Sequence, residues 1–168
     1  MDLMNSQQQE TDIFEPVPTI DDATEQYLHF TLADENYWVE ILRVQEIKVW
    51  EPVTSLPNSP SYLCGVLNLR GNIVPIVDLR LRFDMPAKEY HSETVVIILK
   101  VEGLTDRTVG VVVDSVSDTH SVSPDAIQSS PDLGEGVNTA FINGLVTLDE
   151  QMMMLLDIDL LLSIEALG

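Results

Sequence analysis

The chain is short of cysteine and short of bases, and each shortage excludes something. Cys64 is the only cysteine among 168 residues, so no intrachain disulfide can form, which fits a reducing compartment. No His or Asn stands in a recognisable relation to it, and Cys64 reads as a small buried hydrophobe rather than a reactive thiol. Eight Lys and Arg face 28 Asp and Glu, giving a net charge of −20, and none of the eight precedes Arg43 or follows Arg107. Most of this surface would repel a phosphate backbone or an anionic lipid face, so neither nucleic acid nor a membrane surface is an expected partner. A basic protein partner would be steered toward it. The longest apolar runs, Val95–Leu99 and Met152–Leu156, fall far short of the ~20 residues that cross a bilayer. The amino terminus, MDLMNSQQQETD, has neither the basic nor the apolar region of a secretory signal, so a cytoplasmic protein is expected.

Catalytic groupings are missing too. His29, His91 and His120 stand far apart in the chain with no partner at ligand spacing, and each reads as a surface or strand residue. There is no G-x-S-x-G elbow, P-loop or dinucleotide fingerprint. Asp157 and Asp159 resemble the start of a calcium loop, but Leu162 and Gly168 stand where that loop needs Gly and Glu. A metal-assisted hydrolase using the carboxyl-terminal aspartates is the remote alternative; no enzyme, cofactor or metal is expected.

What is present is a succession of short strands. Residues 1–26 are rich in Gln and acid, hold seven acidic residues and no base, and show no sustained period, so they read as a disordered acidic tail. Within them IFEPVP, Ile13–Pro18, is a docking motif or part of an unstructured leader. From Tyr27 the chain alternates as a half-buried strand, turns at Ala33–Asn36 and resumes. The apolar phase shifts between Ile41 and Gln45, which calls for a helical turn or a bulge and brings Val44 and Glu46 to the surface. The connector EPVTSLPNSPSYL is a loop, with Ser59 and Pro60 suited to open a helical turn.

The stretch Gly65–Phe83, GVLNLRGNIVPIVDLRLRF, reads as a hairpin. A turn centred on Gly71 and Asn72 sets Leu69 opposite Val74 and Leu67 opposite Ile76 on one buried face, with Asn68 and Arg70 on the other. Pro75 would then lack a needed N–H, which favours a four-residue loop, Arg70–Ile73, or an edge position. Asp78 is placed to cap a short turn carrying Arg80 and Arg82 outward and Leu79 and Phe83 inward.

Asp84–Ser92 reads as the seam between two halves. Val95–Val101 and Val109–Val113 form a second hairpin, and Ser121–Ile127 starts a short helix. Residues 129–138 are a loop, Gly144–Leu148 pairs with Met152–Ile158, and Asp159–Ile164 closes as a helix. Met152–Met154 packs inward rather than forming a contact surface. Short strands at near-regular spacing define a barrel or sandwich, and the absence of catalytic groupings points to a binding module.

LRVQEIKVW followed by LPNSPSYLCGVLNLRGNIVPIVDLRLRF closely resembles the CheW family of chemotaxis coupling proteins, and the likeness runs on through VVVDSVSDTHSVSPDAI and FINGLVTLDEQMMMLLDIDLLLS. The resemblance implies an all-β domain over residues 27–168, two five-stranded SH3-like barrels sharing a hydrophobic core, with short helices. It implies a non-enzymatic adaptor that couples the cytoplasmic tip of transmembrane chemoreceptors to the regulatory domain of the histidine kinase CheA. An adaptor of a non-flagellar pathway, such as pilus motility, is the alternative. The receptor contacts it implies, in a groove between the barrels, are Val44, Glu46 and Arg70, with Asn68 and Gly71 beside them. TLDEQM, where a glycine turn is common, and the acidic leader depart from the family pattern. A chain of this length leaves no room for a receiver or kinase domain.

Overall fold

The period-2 alternation lays down ten strands in the computed structural model, which describes residues 24–129 and 139–163. They are β1 (Glu25–Leu32), β2 (Glu35–Glu40), β3 (Val44–Val49), β4 (Leu63–Leu69), β5 (Asn72–Asp78), β6 (Val95–Val101), β7 (Arg107–Val113), β8 (Ser115–Val122), β9 (Ile142–Leu148) and β10 (Gln151–Leu156). Two single-turn helices, α1 (Leu79–Arg82) and α2 (Ile158–Leu161), follow β5 and β10. The first strand starts at Glu25, two residues before the expected Tyr27; residues 1–23 of the acidic tail and residues 130–138 of the loop lie outside the described residues.

The strands form two five-stranded sheets, β8-β1-β2-β10-β9 and β3-β6-β7-β5-β4. Each has one parallel contact, β2 with β10 and β7 with β5. A shared core lies between the sheets, with Leu28, Phe30 and Val39 of the first against Ile97, Leu99 and Val111 of the second. Each such side chain contributes ~1.5–3 kcal/mol on burial. Each sheet also curls around an interior of its own, centred on Trp38 and Met153 in the first and on Ile76 and Ile98 in the second. The expected pair of SH3-like barrels sharing a core is what forms.

The two barrels are built alike. A constant spacing of 79 residues relates Gly65 to Gly144, Leu69 to Leu148, Asp78 to Asp157 and Leu79 to Ile158. An aspartate at the junction of strand and helix caps each helix: Asp78 accepts from the backbone N–H groups of Arg80 and Leu81, and Asp157 from that of Leu160. An isolated bridge closes each barrel, Thr54 to Val66 and Gln128 to Leu145. A Cβ on Gly65, whose φ is +151°, would stand 2.2 Å from the Thr54 carbonyl oxygen, so only glycine lets that connector approach.

The seam does not fall at Asp84–Ser92. That connector joins β5 and α1 to β6 inside the second sheet, and the chain changes barrels at Ile41–Arg43 and at Asp114. Both crossings are clamped. Arg43 donates to both oxygens of Asp159 at 2.8 and 2.7 Å, and Arg80 to both oxygens of Asp114 at 3.0 and 2.7 Å. Arg80 and Arg82 are therefore not outward. Arg82 lies over the rings of Tyr62 and Phe141 and donates to the Leu161 carbonyl, because a cation beside this carbonyl-rich helix end finds better partners than water.

The phase shift after Val39 is a 3-10 turn, Ile41–Arg43, followed by a register shift between Val44 and Glu46. The turn after Pro60 closes with a single Leu63 N–H to Pro60 carbonyl bond and makes no helix; Ser59 bonds back to the Leu56 carbonyl. Ser123 caps the expected short helix, a 3-10 turn at Pro124–Ala126. The closing helix is Ile158–Leu161; Ile164 lies outside the described residues. Met153 is buried while Met152 is exposed, as alternation along β10 requires. Among the described residues no helix is long and apolar enough to cross a membrane.

Candidate functional site

The β4–β5 hairpin turns on two residues, Arg70 and Gly71, with φ of 52° and 86°. Two left-handed residues in succession are the signature of the tight turn whose twist matches paired strands. Leu69 faces Asn72, Leu67 faces Val74 and Val66 faces Pro75, so the loop holds two residues instead of the expected four, its centre lies one residue before Gly71–Asn72, and the partners of Leu69 and Leu67 move two residues along β5. Pro75 is tolerated without an edge position. Val66 sends its N–H and carbonyl to Thr54, away from β5, so Pro75 stands at a site where no bond to β4 is asked of it. On its other side the ladder with β7 starts one residue later, at Ile76. Leu67, Leu69, Val74 and Ile76 nonetheless pack in one cluster, as expected.

Asn68 braces the turn, its Oδ1 accepting the Gly71 N–H at 2.9 Å. Gly71 is needed for its φ alone, since a Cβ there would meet nothing within 4 Å. The turn projects Arg70, whose side chain is 72% exposed and whose Nη2 donates to Glu46 Oε1 at 2.7 Å. Glu46 sits on β3, the opposite edge of the same sheet, so the pair spans the two edges of the second barrel. The charges continue in alternation: Lys48 lies 3.8 Å from Glu46 and 3.6 Å from Glu51. Val44, paired with Leu99, is half-buried against the shared core at the start of β3. Arg70, Glu46, Asn68 and Gly71 thus meet at one place, with Val44 two residues along the strand. Lys48 and the exposed Ile47, Val49 and Ile73 were not singled out from sequence; alternation on β3 exposes Ile47 and Val49 and turns Lys48 to the half-buried face it shares with Glu46.

Other polar groups are committed to the fold. The buried Asp78 carboxylate also accepts the Tyr90 hydroxyl at 2.5 Å, and Cys64 Sγ lies 3.3 Å from that hydroxyl. Burial raises the Cys64 thiol pKa above its ordinary value. His29 and His120 are not apart: their ring centroids are 5.6 Å from each other, because β8 pairs with β1, and His120 stacks on Trp38. Among the described residues no three His, Cys, Asp or Glu side chains gather as a metal site would require. Of the carboxyl-terminal aspartates, Asp157 caps α2 and Asp159 holds Arg43.

A double β-barrel with charged hairpin tips and an exposed strand edge defines a protein-binding module. The chain belongs to the CheW-like family of chemotaxis scaffold and adaptor proteins, whose CheW-like domain model matches residues 26–166. It is 43% identical over 144 residues to the chemotaxis protein CheW of Klebsiella aerogenes, covering 86% of this chain and 85% of that protein. With the chemotaxis protein CheW of Rhizobium meliloti it shares 38% over 130 residues, 77% of this chain and 82% of the other. The crystal structure of the scaffolding protein TtCheW from Thermoanaerobacter tengcongensis matches with a TM-score of 0.76 at 27% identity, over 84% of this chain and 94% of that one.

Proposed function

We propose that this chain is a non-enzymatic cytoplasmic adaptor coupling the cytoplasmic tips of transmembrane chemoreceptors to the regulatory domain of the histidine kinase CheA, with Arg70, Glu46 and Val44 as the receptor surface and Asn68 and Gly71 holding the turn. The domain runs from about residue 27 to residue 168 behind an acidic leader. The observation that carries the reading is the exposed Arg70 guanidinium, fixed by a tight turn and oriented by Glu46. A planar donor fork held this way offers directed bonds to carboxylates and carbonyls on a helical tip. The mechanism is mass action: one surface holds a receptor and another the kinase, raising their effective concentration and fixing their orientation.

The test is co-sedimentation with receptor-containing membranes. Arg70→Glu sets two carboxylates against each other where an ion pair stood, and binding should fall at least about tenfold, ~1.4 kcal/mol. The protein should stay folded, because so exposed a pair contributes only ~0–1 kcal/mol. Undiminished binding would remove Arg70 from the site.

A further inference from the structure

We propose that the leader segment Ile13–Val17, IFEPV, docks as an added strand along the free edge of β3 and covers the Arg70–Glu46 surface as a tethered competitor. Its regulatory consequence rests on the receptor reading above; the contact itself does not.

Among the described residues β3 ends the second sheet, and no strand neighbours the backbone groups of its outer edge. The run from Leu42 to Val49 also holds three of the large exposed apolar side chains, Leu42 at 88%, Ile47 at 46% and Val49 at 64%. An apolar, unpaired edge is what an added strand covers.

The leader is tethered at the right place. Thr24, Glu25, Ile41 and Leu42 line one cavity of about 330 Å³, so the described chain begins beside the foot of β3. At ~3.4 Å per residue, the eleven residues from Ile13 to Thr24 span up to ~37 Å, against ~20 Å for β3.

Charge selects the same barrel. Residues 44–113 carry seven of the eight bases against eight acids, and the rest of the chain carries one base against twenty acids. A leader without a base is repelled by the first barrel and tolerated by the second. Asp12 and Glu15, which flank Ile13 and Phe14, suit the remaining guanidinium N–H groups of the exposed Arg70.

The prolines fit as well. Pro16 and Pro18 are in one phase, so a strand that pairs through residues 13, 15 and 17 turns both missing donors to solvent. Such a strand caps the edge without offering a new one. Tethering places it at an effective concentration in the millimolar range, which a free second copy does not reach.

Amide hydrogen exchange of β3 in the full chain tests the contact, with Ile13→Ser/Val17→Ser and Glu15→Pro as variants. Exchange at Gln45, Ile47 and Val49 should quicken at least tenfold in both, with β6 and β7 unchanged, and receptor affinity should rise several-fold. Unaltered exchange in the variants overturns the strap. Protection that grows with protein concentration also overturns it, in favour of a second copy. Faster exchange with unaltered receptor affinity leaves the contact standing and overturns the receptor reading of this surface.

Discussion

Arg70 illustrates how little a single residue reveals alone. Its position in a turn follows from its neighbours, but its partner, Glu46, lies 24 residues away. If the receptor surface depends on the pair, Glu46→Arg combined with Arg70→Glu should recover part of the binding that either reversal loses; if Arg70 contacts the receptor directly, the double reversal should stay weak. Asp159 poses a different question. Its hydrogen bonds from Arg43 hold its carboxyl below the ordinary carboxylate range, and Arg80 does the same for Asp114. A carboxylate with a lowered folded-state pKa adds stability above its unfolded value, about 3.9, and that stability is lost as pH falls toward the folded value. Asp159→Asn should therefore be less stable than wild type by about 1 kcal/mol in thermal unfolding at pH 7, and the gap should begin to narrow as pH falls below about 4. A gap that does not narrow at all on acidification would assign the loss to packing instead. His29 and His120 stand far apart in the chain, yet β8–β1 pairing brings their rings together.

At the scale of elements, the two matching hairpins solve one problem with different residues. The β4–β5 turn places Gly71 in the second left-handed position, whereas the β9–β10 turn places Glu150 there, with φ of 66°. A side chain in that region costs ~1–2 kcal/mol, part of which glycine returns through the unfolded chain. Glu150→Gly should raise stability by about 0.5–1 kcal/mol in urea unfolding without moving the register. Pro75 explains why the first turn was misplaced in the sequence reading. A proline inside a strand pattern signals an edge or a longer loop, unless a third segment takes the bonds of the residue opposite. Thr54 does that for Val66, from a connector that carries no strand periodicity of its own.

Across the whole molecule, charge and topology are unevenly shared. Seven of the eight bases fall in residues 44–113, so the net charge of −20 rests almost wholly on the other barrel and the tails. Mutual repulsion there opposes compactness, and the screening length falls from ~30 Å at 0.01 M to ~8 Å at 0.15 M ionic strength. The urea midpoint should rise with added NaCl over that range; a fall would give the clamps at Asp114 and Asp159 the larger part.

The sequence by itself determined the strands other than β8, the hairpins β4–β5, β6–β7 and β9–β10, the Asp78 cap and the family, because alternation, turn residues and caps act between near neighbours; β8, Ser115–Val122, is largely polar and carries no apolar alternation to announce it. The spacing of 79 residues was written there too, but substitution of Asp149 and Glu150 for Arg70 and Gly71 hid it. Only the tertiary structure decided that β3 leaves the first sheet and β8 returns to it, that Arg80 turns in to Asp114, and that Glu46 meets Arg70. Those choices follow from closing two curled sheets over one shared apolar core, and no local pattern encodes which distant strand will be at hand when they close.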